Sequence, residues 1–243
     1  MANSETSFPD RAQKAQLLLT SITAMSPAYA PLDNALLPAN VATLLTTVTA
    51  ANIAVGNSKT AFSNAVQTRL AAVKDVPKLA TRLVNYVKSN PAWKVQFARI
   101  KELCDKVRRV KTPLKTAAPV APQPGQPPAP PHKPRDRGDG SYAELADYLK
   151  LLAAAVTALP GYAPADPDLA SAALSALGPQ IESQNVLVGN ADTALDTAQK
   201  QRFAIYFTPV TGLADVFAAI KQAVKGQYGP NSTQYAQVKT IRW

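Results

Sequence analysis

The chain has 243 residues, 47% of them hydrophobic and 17% charged, with a net charge of +10. This composition can build a core, and 44 alanines favour helix. A single histidine (His132) and a single cysteine (Cys104) exclude an intrachain disulfide, most zinc, haem and di-iron chemistry, and any histidine-based triad that does not use His132.

The N-terminal ten residues lack the basic start of a signal peptide, and the apolar run Leu17 to Met25 is short and broken by Thr20, Ser21 and Thr23. No apolar stretch reads as long enough to span a bilayer, so a soluble, cytoplasmic protein is expected. The triplet Asn231-Ser232-Thr233 matches a glycosylation acceptor, but without a secretory route it reads as chance.

In chain order, Pro9 opens a helix whose apolar residues Leu17, Leu18, Ile22 and Met25 share a face, and Pro27 stops it. A long helix follows, with Val41, Leu44, Leu45, Val48, Ala51, Val55 and Phe62 as its stripe, and Pro77 marks the next boundary. Leu79, Leu83, Tyr86 and Val87 form a third face. In the fourth helix Trp93, Phe97, Ile100, Cys104 and Val107 step by four, three, four and three, the spacing of a buried stripe. Cys104 is therefore expected to be a buried, inert thiol.

Nine prolines fall between Pro113 and Pro134. Proline fixes φ and removes a backbone donor, so residues 113–140 read as an extended, disordered linker. Its alternative role is as a ligand for an aromatic groove. His132 sits inside it, with nothing to orient it.

Beyond the linker the pattern begins again. Ser141 and Glu144 have capping-box spacing, and Leu145, Leu149, Leu152 and Val156 follow. Tyr29-Ala30-Pro31 recurs as Tyr162-Ala163-Pro164, and Asn52-Ile53-Ala54-Val55-Gly56-Asn57 as Asn185-Val186-Leu187-Val188-Gly189-Asn190. From Tyr29 to Arg69 the offset is a constant 133, with 15 identities in 41 pairs. An ungapped run of this length points to duplication. The expected fold is all-α: an internally duplicated antiparallel helical bundle, copy one in residues 1–112 and copy two in 141–243, either each closing on itself or the two packed face to face as one body about a pseudo-twofold axis. Tyr29 and Tyr162 are expected to plug the bundle ends.

Two groups of polar residues are candidate sites. Asn52, Gly56 and Thr60 step by four along one helix face, as do Asn185, Gly189 and Thr193. They read either as a close helix crossing over glycine or as a small polar pocket in each copy. The second group is basic. Residues 70–115 hold twelve basic and three acidic residues. Lys94, Lys101 and Arg108 form one stripe of the fourth helix, with Arg99, Lys106 and Arg109 beside it. Such a face suits nucleic acid or an anionic surface, bound through phosphates and sensitive to salt.

No phosphate loop, nucleophile elbow, metal site or paired-carboxylate pattern is present. Asp166 and Asp168 read as helix-start residues. The expectation is a non-enzymatic structural or interaction module without cofactor, with a protein partner and, alternatively, nonspecific nucleic-acid or anionic-surface binding by copy one. The stretch Thr208-Pro209-Val210-Thr211-Gly212-Leu213, followed by Val224-Lys225-Gly226-Gln227-Tyr228-Gly229-Pro230-Asn231-Ser232-Thr233-Gln234-Tyr235-Ala236-Gln237-Val238-Lys239, resembles the ending of a group of uncharacterised bacterial helical repeat proteins. The resemblance implies a helical fold and no activity. Copy one departs from it at Asn90-Pro91-Ala92-Trp93.

Overall fold

A computed structural model describes residues 7–108 and 141–243. The expected linker 113–140, with His132 and Arg109, lies outside the described residues. Within them the chain is all-α: α1 (Ser7–Thr23), α2 (Pro38–Val73), α3 (Val76–Lys88), α4 (Lys94–Val107), α5 (Tyr142–Thr157), α6 (Ser171–Phe207), α7 (Leu213–Tyr228) and α8 (Thr233–Lys239).

The helix ends follow local chemistry. Pro38 is the first residue of α2, where its missing N–H costs nothing. Ser141 and Glu144 form the expected capping box at 3.1 Å in both directions. Asp33, Asn90 and Asp166 each accept a backbone N–H at the start of a short 3-10 turn. Ser232 caps α8 through the N–H of Tyr235. Gly212 opens α7 under close constraint: a Cβ there would lie 2.6 Å from the Thr208 carbonyl oxygen and 2.7 Å from its nitrogen.

The described residues form two compact units, and neither coincides with a sequence half. One unit comprises residues 7–64 and 190–243, the other residues 65–108 and 141–189. The core of the first joins Phe8, Leu18, Ile22, Leu45 and Val48 from the N-terminal half to Tyr206, Phe217, Ile220, Val224 and Val238 from the C-terminal half. The core of the second joins Leu83, Val87, Trp93, Ile100 and Cys104 to Leu149, Leu152, Val156, Leu174 and Ile181. Of the two expected arrangements, independent closure of residues 1–112 and 141–243 is not seen; each core draws side chains from both copies. The apolar stripes are those the sequence indicates, except that Leu17 faces solvent, and each is covered in part by helices from the other half. Helices α2 and α6 contribute to both units.

Hydrogen bonds between the halves reinforce each core. In the first unit Gln227 Nε2 donates to the Ala28 carbonyl at 2.9 Å, and Gln234 Nε2 to that of Ser26 at 2.8 Å. In the second, Trp93 Nε1 donates to the Pro160 carbonyl at 3.0 Å.

One further correction concerns hydropathy. The segment Pro38–Lys88 contains a stretch long and apolar enough, by length and composition, to cross a membrane, and 22% of that window is buried. In α2 the hydroxyls of Thr43, Thr46, Thr47 and Thr49 donate to carbonyls four residues back, which masks their polarity.

Candidate functional site

The basic face of α4 is built as its spacing predicts, but its charges are paired. Lys101 Nζ lies 2.9 Å from Asp105, and Arg108 binds the same carboxylate. Arg99 reaches Glu102 at 3.3 Å, and Lys106 reaches it at 3.0 Å while lying over the Tyr148 ring. On α3, Arg82 is held by Asp166 and Asp168. Lys94 is exposed and has no ion pair among the described residues.

The electrostatics agree with this pairing. Hydrogen bonding and attraction from Lys106, aided by Arg99, lower the Glu102 pKa below its usual value. The Lys101 hydrogen bond, aided by Arg108, does the same for Asp105, although burial opposes it. The Lys106 pKa is raised, chiefly by its bond to Glu102. Two carboxylates thus take up much of the field that four cations would project. The sequence counted these acids but did not place them within reach of the bases.

Cys104 is fully buried among Leu103, Ile100 and Val107, and burial pushes its thiol pKa up to about 12. This environment keeps it a thiol and unreactive.

The polar stripe is not a close helix crossing. A Cβ built on Gly56 or Gly189 meets no heavy atom within 4 Å. Thr60 donates back to the Gly56 carbonyl at 3.1 Å, and Thr193 is exposed. Asn52 and Asn185 are both partly buried, and Asn52 bonds across to another helix. Its Nδ2 donates to Tyr206 Oη at 2.9 Å, and Tyr206 Oη donates to the Phe8 carbonyl at 2.8 Å. The Oδ1 atoms of Asn52 and Asn185 are both buried without a hydrogen-bond partner.

Two cation–π contacts occupy matching positions. Arg202 lies over the Phe8 ring at 4.1 Å, and Arg69 over the Tyr142 ring at 4.0 Å. Each joins residues of different halves, and each arginine has a buried Nε without a hydrogen-bond partner.

The matched tyrosines close their loops differently. Tyr29 is buried in the first core, and Tyr162 Oη donates to the Leu169 carbonyl at 2.6 Å. Burial raises both phenols to about 12.

The sequence reading missed a set of exposed apolar residues that recurs between halves. Ile53 and Val186 are each 57% exposed, and Leu70 and Phe203 are 41% and 54% exposed. Both pairs fall at the 133-residue offset. Leu17 and Leu151, at 55% and 48%, repeat the pattern on α1 and α5. The signal was present in the alignment of the two halves, but periodicity searches for residues that face inward.

A shallow groove of about 510 Å³ is lined by Lys150, Ala153, Ala154, Thr157, Ala158 and Ser175. Among the described residues no cluster of His, Cys, Asp or Glu is arranged to hold a metal ion. Comparison with protein-family models, curated proteins and solved structures finds no match to this chain.

Proposed function

We propose that this chain is a non-enzymatic, cytoplasmic interaction module, internally duplicated, that presents apolar side chains from both copies to a protein partner. The observation that carries the reading is the matched exposure of Ile53 with Val186 and of Leu70 with Phe203. Duplicated segments drift, and large apolar side chains left in water gain nothing for the fold. Their retention at equivalent exposed positions is accounted for by a surface that is covered when a partner binds. In this reading residues 113–140 connect the copies and have no chemical role.

Binding of an anionic surface by copy one is the weaker reading, because Arg99, Lys101, Lys106 and Arg108 already have carboxylate partners. The test is affinity capture from the native host, with the unmodified chain beside Ile53→Ser/Val186→Ser and Leu70→Ser/Phe203→Ser. The expected outcome is a defined protein retained by the unmodified chain, insensitive to nuclease, and lost with either pair while helical content is unchanged. Retention by all three chains would count against the reading. Capture abolished by nuclease or moderate salt would transfer it to the basic face.

A further inference from the structure

We propose that a small pocket, where α2 ends and α3 and α5 begin beside the last turn of α4, binds a carboxylate with an apolar body about the size of benzoate. The pocket has a volume of about 170 Å³ and lies within the unit of residues 65–108 and 141–189. Val73, Val76, Val107 and Leu145 form its apolar wall. The half-buried Tyr142 and the exposed Pro77 also line it and leave it open to solvent. An apolar cavity of about 150 Å³ is room enough for benzene.

The repeat shows how the space arises. Val73 and Tyr206 correspond at the 133-residue offset, and each lies one helical turn beyond its matched arginine, Arg69 or Arg202. Tyr206 is fully buried and packs edge-on against Phe8, with ring centroids 4.8 Å apart. At the matching position Val73 has no ring, and its side chain borders the pocket. The arginine and its aromatic partner are kept, with Arg69 over Tyr142 at 4.0 Å. The same framework carries a packed ring in one unit and a lined opening in the other.

Arg108 gives the pocket its sign. Its terminal nitrogens engage Asp105 and, at 3.4 Å, Thr81, while its Nε is buried without a hydrogen-bond partner. The Nε of Arg69, which stacks on Tyr142, is likewise buried and unpartnered. The first turns of α3 and α5 line the pocket, so the positive ends of two helix dipoles lie at it. Asp75 makes no capping hydrogen bond to α3. The carboxylates of these helix ends are engaged: Asp75 by Lys78, Asp105 by Lys101 and Arg108, and Glu144 by the Ser141 N–H. An anion here meets unpaired donors, whereas a cation meets two arginines. A neutral apolar molecule leaves the donors unpaired, and an ion without an apolar body leaves the wall wet. A carboxylate carrying a ring or a branched chain answers both.

The test uses the full, isotope-labelled chain, with sodium benzoate as the probe and methyl NMR as the readout. Benzoate is expected to shift the methyl signals of Val73, Val107 and Leu145 saturably, with a dissociation constant of ~0.1–10 mM. Toluene and inorganic phosphate each lack one of the two features and should bind at least about tenfold more weakly. Arg108→Gln should weaken benzoate binding by about tenfold or more, through loss of a charge-assisted contact. Val73→Tyr gives this unit the residue of the other and should abolish binding, with helical circular dichroism unchanged. Arg108→Gln keeps the test decisive if Val73→Tyr does not fold. Absence of saturable shifts up to ~50 mM benzoate would overturn the proposal. So would toluene or phosphate binding as tightly as benzoate, or an unchanged benzoate affinity in Arg108→Gln or in folded Val73→Tyr.

Discussion

Arg202, on the C-terminal side of α6, lies over Phe8, near the start of α1, with its guanidinium carbon 4.1 Å from the ring centroid. The side chain is 7% exposed and has no carboxylate partner among the described residues. The ring face supplies the attraction that a counterion would otherwise provide. Arg69 and Tyr142 repeat the arrangement in the other unit at 4.0 Å.

Replacing Arg202 with Ala is expected to destabilise the protein by about 2 kcal/mol, the magnitude of a desolvated cation–π contact. Arg69→Ala should cost less, because Arg69 is only half-buried and water already solvates part of it. Arg202→Lys should rescue little, since an ammonium group cannot stack as a plane. Urea unfolding of the three variants checks the order. Equal losses at the two arginines would refute the role given to burial.

Tyrosine ionisation predicts loss of stability at high pH. Burial raises Tyr29 and Tyr162 to about 12, against about 10 for a free phenol. The Tyr206 phenol is also raised, chiefly by burial, although Asn52 and the nearby arginines oppose this. The folded state therefore holds protons that the unfolded chain has released between about pH 10 and 12. Linkage then requires stability to be undiminished below about pH 10 and to fall as pH rises through that window. A Tyr29→Phe/Tyr162→Phe variant should flatten the fall. Thermal melts between pH 8 and 12 measure it, and a midpoint independent of pH in that range would contradict the assignment.

The glycines separate into two behaviours. At Gly56 and Gly189 an added methyl meets open space in mid-helix, so alanine should stabilise each site by up to about 1 kcal/mol. At Gly212 the same methyl collides with the Thr208 backbone, and Gly212→Ala should destabilise by about 1–3 kcal/mol. Denaturant midpoints of the three single variants should move in these opposite directions. A gain at Gly212 would show that the turn before α7 relaxes freely.

On α4 the acids are expected to weaken the attraction of the bases for an anion. Glu102→Gln with Asp105→Asn removes both carboxylates that engage Arg99, Lys101, Lys106 and Arg108. Binding to a short DNA duplex, measured by fluorescence anisotropy at low salt, should strengthen by at least tenfold and weaken again as salt rises. An unchanged affinity would remove the basic face from consideration as a binding surface.

Local features of this fold were legible in the sequence. The step of Trp93, Ile100, Cys104 and Val107 marks one face of a helix, and those four side chains are buried. The capping box at Ser141 and Glu144 is a contact between neighbours, and spacing alone finds it. What covers each stripe was not legible. Periodicity records that Leu18 and Leu83 face a core, but it carries no information on which distant helix supplies the other side. The same limit explains the misreading of Gly56. A small residue in mid-helix is compatible with close approach, and equally with an open surface. The α4 salt bridges lay between these cases. Glu102 and Asp105 sit three or four residues from their partners, which is reach enough on a helix.

The composite cores also constrain when this protein can fold as it is made. Phe8, Leu18, Ile22 and Val48 leave the ribosome early, but the side chains that cover them, from Tyr206 to Ile241, are synthesised about 150 or more residues later. The unit lined by residues 76–107 and 145–181 can assemble first, although it lies in the middle of the sequence. The unit that contains the start of the chain is completed last. Until then α1 and the first turns of α2 lack the C-terminal side chains that share their core in the folded chain.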